Sequence, residues 1–399
     1  FMYNKTTEKM SKMTETVTAT ILSMSLLTVM AAAAIAPAMG IIRQHFASAP
    51  DMLVQLIISL PALFIILTNL LFLPISRVLR TRAIAIIGLV LYVAAGTGCF
   101  FVDNIHLLLL MRALLGVSVG LIMPLSTGLL SYFYPPEEQA RLMGLSAAMN
   151  QMGGVVGTLL AGMLASIAWN YAFLVYLFGL IALVMIVCWL PNEKLGSSNK
   201  RGKVFEPRQL LKFHPSVIGM LLLTMVFFVF PTNFAIITSR QLQLDTTAIT
   251  LIMVALDLLA FFVGLVFGHL MHRFRTSIKF FPPIVLIIGY AFYAEASNVA
   301  MLLIGSAFIG VGNGIGVPYL LTIASIKGGK NSATTVMPLL SASLYLGQFI
   351  SPILILPLAE LLFGTHDVTG PYRVAVLISL LFLLQVWMTR RFQSLPPED

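Results

Sequence analysis

Charge is scarce in this sequence: Asp, Glu, Lys and Arg make up only 10% of its 399 residues. A soluble domain carries about 25%, so a water-solvated surface over a chain of this length is excluded. Cysteine is scarcer, with Cys99 and Cys188 alone, so neither a disulfide framework nor a cysteine-rich metal site is possible. None of the six histidines falls at the centre of an apolar run, and no HExxH pattern or Ser-His-Asp set appears. Enzyme chemistry, a metal and a cofactor are therefore not expected. What the chain has in excess is apolar surface, at 59% of residues.

A helix that crosses a bilayer needs about 20 apolar residues. Stretches near that length recur: Thr16 to Ile42, Met52 to Ser76, Ala83 to Val102, and the run around Arg112. Leu142 to Asn192 carries no charge and divides into two at Ser166 to Asn170. Pro215 to Ser239, Thr246 to Met271, Phe280 to Ala294, Met301 to Ile326, Ser332 to Leu358 and Val374 to Thr389 follow. The reading is an all-α membrane protein with twelve transmembrane helices. The first apolar run is long, follows a polar arm and lacks a small-residue cleavage pattern, so it reads as a span and not a leader. Cys99 and Cys188 then fall near opposite faces of the membrane, where they cannot pair.

The formal net charge of +9 raises the question of a nucleic-acid partner. Its distribution answers it. With both termini in the cytoplasm, twenty of the 24 Lys and Arg residues fall on the inner side. Arg43, Arg240 and Arg373 fall outside, and Arg112 lies within a span. That asymmetry follows the positive-inside rule and fits an even number of spans. The basic charge is topological, and no nucleic-acid partner is expected.

The longest polar interruption, Glu193 to His214, reads as a cytoplasmic linker between residues 1–192 and 215–399. The two sides match at one shift of 194 residues: Pro37 with Pro231, Gly116 with Gly310, Gly120 with Gly314, Pro124 with Pro318 and Gly153 with Gly347. Glycine and proline shape membrane helices by close packing and by kinks, so shared positions imply shared backbone geometry. The expected architecture is two pseudo-symmetric six-helix bundles. Such repeats place a substrate site at their interface near mid-membrane.

Three segments carry a more specific pattern. Arg112-Ala-Leu-Leu-Gly116-Val-Ser-Val-Gly120 combines a buried-span arginine with glycines on one helix face. Gly144, Gly153, Gly157-Thr158 and Ala161-Gly162 line a groove of small residues in the fifth span, and Trp169-Asn170-Tyr171-Ala172-Phe173 opens the sixth. Phe72-Leu-Pro74-Ile-Ser76-Arg77-Val78-Leu79-Arg80-Thr81-Arg82 joins the second and third spans, with a second-half copy at Gly268 to Arg275. Together they resemble the major facilitator superfamily, in its twelve-span drug:proton antiporter branch. The chain departs from the pattern at Thr158 for proline, Ala161 for glycine, and Ser76 and His272 for the acidic residue of the gating loops.

That resemblance implies a role in proton coupling for Arg112 and a gating-loop role for Arg77, Arg80, Arg273 and Arg275. It makes a helix-packing set of Gly116, Gly120, Gly144, Gly153, Gly157, Gly162, Gly310, Gly314 and Gly347. Asp257 is the one carboxylate near a span's middle. Burial would raise its pKa unless a cation pairs with it, which makes it a proton-coupling candidate beside Arg112. By the family's arrangement, cavity candidates are Phe228, Asn233, Asn313 and Tyr319, with Asn150, Gln151, Tyr345 and Gln348 on adjoining helices. Walls of Leu, Met and Phe suit a lipophilic or amphipathic cargo better than a sugar.

The resulting expectation is a proton-coupled exporter of small lipophilic or amphipathic compounds, working by alternating access. It would be a multi-pass, monomeric protein of the bacterial inner membrane, with substrate, protons and lipid as partners. An importer, or an exporter of a specific metabolite, organic anion or lipid, stands as the alternative. A non-transporting sensor or scaffold would need a soluble signalling domain, for which no segment is long enough.

Overall fold

The computed structural model describes residues 2–134, 136–192, 207–328 and 336–390. Those residues are nearly all helical. The first six spans are built from α1 (Met2–Ala33), α2 (Met39–His45), α3 (Asp51–Val78), α4 (Thr81–Gly98), α5 (Ile105–Phe133), α6 (Pro136–Ala165) and α7 (Gly179–Trp189). The other six are α8 (Pro207–Gln241), α9 (Thr246–Phe274), α10 (Phe281–Ala294), α11 (Val299–Gly328), α12 (Met337–Phe363) and α13 (Gly370–Met388). Among the described residues, twelve segments are long and apolar enough to cross a membrane, from Glu15–His45 to Gly370–Met388. Of the expected linker, residues 193–206 lie outside the described residues, and 207–214 form the first turns of α8.

Helix boundaries follow local chemistry. Asn104 caps α5, its side chain accepting from the backbone N–H groups of His106 and Leu107 at 2.9 and 3.3 Å. Asp245 does the same for α9 through Ala248. Gly364, at φ +83°, stops α12 in a conformation that a side chain would resist. The first span is broken. Pro37 has no N–H to continue a helical ladder, so α1 ends at Ala33, a 3₁₀ turn covers Ala36–Ala38, and α2 resumes at Met39.

The chain packs as two compact units, Phe1–Ile35 with Leu63–Asn199, and Ala36–Ala62 with Lys200–Asp399. Residues 36–62, which belong to the first half by sequence, are thus part of the second unit. The division in the first span falls at its break. In the first unit α1 packs on α5 and α6, and α4 on α5 and α7; in the second, α8 packs on α12 and α13, and α11 on α9 and α10.

The repeat is visible in which backbones touch. A methyl on Gly153 of α6 would collide with the Leu26 carbonyl of α1. A methyl on Gly347 of α12 would stand 2.7 Å from the Leu221 carbonyl of α8 and against Thr224. Gly120 of α5 meets Thr68 and the Ile65 carbonyl of α3, and Gly314 of α11 meets the Ala260 carbonyl of α9 at 2.7 Å. In lipid no hydrophobic force drives one helix onto another, so close backbone approach of this kind supplies the attraction. Gly144 differs: it is exposed, and among the described residues a methyl there meets nothing within 4 Å.

Candidate functional site

Each unit holds a buried polar cluster at a point where a helix backbone is left open. In the first unit, α1 ends at Ala33, so its last carbonyls have no helical donor. Arg112 of α5 and Tyr176, in the 3₁₀ turn before α7, converge on one of them. Arg112 Nη2 and the Tyr176 hydroxyl both donate to the Ala31 carbonyl at 2.9 Å. Arg112 Nη1 also donates to the Tyr176 oxygen at 2.6 Å, and its guanidinium carbon lies 5.6 Å from that ring's centre. Arg112 is fully buried. A charge at that depth costs several kcal/mol in apolar surroundings, and the carbonyl, hydroxyl and ring face offset part of it. Tyr92 of α4 stands edge-on to Tyr176 and donates to the Leu27 carbonyl at 3.1 Å.

The second unit repeats the plan with other residues. Pro231 interrupts the ladder of α8, releasing the Phe227 carbonyl. The Tyr290 hydroxyl of α10 sits 2.7 Å from the Val226 carbonyl and 3.3 Å from that of Phe227. At the position matching Arg112 stands Ser306, paired with the Tyr293 hydroxyl at 2.6 Å. The arginine of one unit is thus a serine in the other.

A second polar chain runs through Asn233. Its Oδ1 accepts from Gln55 Nε2 of α3 at 2.7 Å. Its Nδ2 donates to the Val229 carbonyl at 3.1 Å and to Thr232 Oγ1 at 3.0 Å. Thr232 Oγ1 in turn donates to the Phe228 carbonyl at 2.7 Å. Gln55 Oε1 is buried with no hydrogen-bond partner among the described residues. Sequence reading named Asn233 and missed Gln55. The available signal was a lone amide between Val54 and Leu56 in an apolar run.

The remaining cavity candidates divide between the units. Asn150, half-buried on α6, lies 2.7 Å from Thr28 Oγ1, which also donates to the Ser25 carbonyl. One hydroxyl proton cannot serve both oxygens, so the Asn150 amide nitrogen is the better atom to face Thr28. Gln151 is exposed. In the second unit Phe228 and Tyr319 are buried, while Asn313, Tyr345 and Gln348 are half-buried on α11 and α12, both of which pack on α8. Asp257 is half-buried on α9, next to Leu256, whose carbonyl faces Gly310.

The loop arginines lie at helix ends. Arg77 and Arg80 are exposed where α3 gives way to α4, and the neighbouring Arg82 donates to the Val187 carbonyl. Cys188 therefore lies beside the start of α4, whose far end leads to Cys99, and both thiols are free. Arg273 and Arg275 are exposed at the end of α9. Arg275 has φ +45°, a left-handed conformation that an arginine adopts at a cost. Among the described residues Gly116 and Gly162 are buried, and a methyl on Gly157 would press on Met30 of α1 at 2.7 Å.

A family model described as Major Facilitator Superfamily matches residues 21–352. The quinolone resistance protein NorA of Staphylococcus aureus is 24% identical over 340 residues, covering 79% of this chain and 82% of that protein. A putative multidrug resistance protein, MdtD of Escherichia coli O127:H6, is 25% identical over 321 residues, covering 79% of this chain and 64% of MdtD. Among solved structures, a bacterial homologue of the human lysosomal transporter Spinster superposes with a TM-score of 0.75 at 15% identity, over 96% of this chain and 99% of that one. The last likeness is one of fold.

Proposed function

The chain belongs to the major facilitator superfamily, and from that premise we propose that this transporter exports small lipophilic or amphipathic compounds in exchange for protons. One observation carries the choice of cargo: four hydroxyl side chains of α8 and α12 are turned onto backbone. Thr224 donates to the Met220 carbonyl, Thr232 to Phe228, Ser343 to Leu339 and Ser351 to Met225, at 2.7 to 3.0 Å. A sugar needs many side chains free to exchange hydrogen bonds with it, and these are engaged already. The resemblance to NorA and MdtD, named for drug resistance, supports the same reading.

In this proposal Asp257 carries the proton and Arg112 holds the break of the first span in register with proton occupancy. Phe228, Asn233, Asn313, Tyr319, Asn150, Gln151, Tyr345 and Gln348 face the cargo. Arg77, Arg80, Arg273 and Arg275 gate the inner side. Residues 1–192 and 215–399 are the two moving halves, with both termini in the cytoplasm of a bacterial inner membrane and the chain acting as a monomer.

The deciding experiment is flux in proteoliposomes under an imposed pH gradient, with a lipophilic cation, a neutral aromatic compound, an organic anion and a polar nutrient as cargoes. Movement of the lipophilic compounds against the proton flow is expected. Movement of a polar nutrient or an organic anion with the protons would replace the exporter reading with an importer.

A further inference from the structure

The junction of α3 and α4 in the first unit brings positive charge and apolar surface to one place. Arg80 stands at the N-cap of α4, extended at φ −76° and ψ 151°, and its side chain caps nothing. Arg82, half-buried in the first turn of α4, donates to the Val187 carbonyl. That carbonyl lies in the last turn of α7, where no helical N–H follows to take it. The bond fixes the guanidinium in place and uses one of its five N–H groups. Among the described residues neither arginine has an acidic partner, and the Arg80 side chain makes no hydrogen bond.

Both side chains line one groove of about 390 Å³. Asn192 completes its polar rim, and Val78, Leu79 and Ile86 form its apolar wall. Val78 is 76% exposed, so the wall is left bare among the described residues. The groove sits where two apolar spans meet a short polar loop, between the end of Asp51–Phe72 and the start of Thr81–Phe101. Trp189, the last residue of α7, is half exposed, as aromatic side chains are at a bilayer interface.

We propose that this groove binds a phospholipid with a negatively charged headgroup. Its phosphate lies between Arg80 and Arg82, Asn192 supplies an amide donor, and the upper part of one acyl chain runs along Val78, Leu79 and Ile86. The planar guanidinium fork matches phosphate oxygens two at a time. The N-terminus of α4 adds a partial positive charge of its own. Basic pockets between membrane helices take such headgroups. A free anion would use the rim and not the wall, and a zwitterionic headgroup brings a cation that two arginines repel. Binding is read without transport, so the site stands apart from the proposed cargo and proton coupling.

Native mass spectrometry of the purified protein with equimolar phosphatidylglycerol and phosphatidylcholine tests it. The wild-type chain is expected to retain phosphatidylglycerol preferentially. Arg80→Gln and Arg82→Gln each reduce that preference about five-fold, near the value of one cation at a membrane surface. Arg82→Lys, which keeps the charge, retains most of it. Ile86→Ala weakens retention of both lipids and leaves the preference in place. Arg240→Gln removes an equal charge at the end of α8 and leaves the preference unchanged. Equal retention of the two lipids by the wild type overturns the proposal. So does a preference that survives the double substitution of Arg80 and Arg82, or one that falls as far in Arg240→Gln. Displacement of phosphatidylglycerol by millimolar inorganic phosphate also overturns it, because the occupant is then a free anion.

Discussion

Gln55 Nε2 donates to Asn233 Oδ1 at 2.7 Å, and both side chains are buried within the second unit. Both amide hydrogens of Asn233 go to its own helix, so its Oδ1, accepting from Gln55, is the atom that ties α8 to α3 here. Polar pairs in membrane proteins couple by about 0.6 kcal/mol on average and by less than about 2. A double-mutant cycle of Gln55→Leu and Asn233→Leu, read as thermal stability in detergent, is expected to show coupling in that range. Each single substitution strands one amide and destabilises; the double relieves both. Additive effects would mean that the pair contributes nothing as a pair.

Arg112 and Tyr176 share the Ala31 carbonyl, which decides what their removal does. In Arg112→Met the Tyr176 hydroxyl still covers that carbonyl and the cost of a buried charge disappears. Stability is expected to stay within about 1 kcal/mol of wild type, the net worth of one hydrogen bond. Proton-driven flux is expected to be lost, while Tyr176→Phe retains it. Full flux in Arg112→Met would leave the arginine with a capping role alone.

The glycines divide by what lies opposite them. In Gly153→Ala and Gly347→Ala the added methyl meets backbone of α1 and α8, which cannot rotate away. Overpacking of this kind costs about 1–3 kcal/mol. Gly144→Ala meets nothing among the described residues and gains helix propensity, a stabilisation of about 0.5–1 kcal/mol. Comparing the melting temperatures of the three variants checks both signs at once.

These contacts also explain what could be read from sequence. Twelve spans were legible because lipid demands long apolar runs, and the shift of 194 because glycine and proline leave fixed marks on a backbone. The contacts of Gly153 and Gly347 show it: their partners, Leu26 and Leu221, are 195 positions apart. The tyrosines escaped the same search. Tyr92 and Tyr290 do equivalent work on α4 and α10 but stand 198 apart, one helical turn out of register. Unequal connections between spans shift one helix against the count while leaving its geometry intact. Gln55 escaped for another reason: a single amide in an apolar run has meaning only once Asn233 is seen beside it. The grouping of residues 36–62 with the second unit depends on packing beyond the Pro37 break, which no local pattern encodes.

Asp257 gives the sharpest test of proton coupling. It lies near the middle of α9, half-buried, in a helix whose neighbouring turns pack on Gly310 and Gly314 of α11. Asn has nearly the same shape, so Asp257→Asn keeps the packing and removes only the titrating group. The variant is expected to fold and melt close to wild type, and to equilibrate cargo down its own gradient. Accumulation driven by an imposed pH gradient is expected to vanish, because no proton is then bound on one side and released on the other. The control is cargo counterflow without a pH gradient, which separates a lost coupling site from a lost carrier. Unchanged proton-driven accumulation in Asp257→Asn would remove this residue from the mechanism and move the search to the polar chain around Arg112.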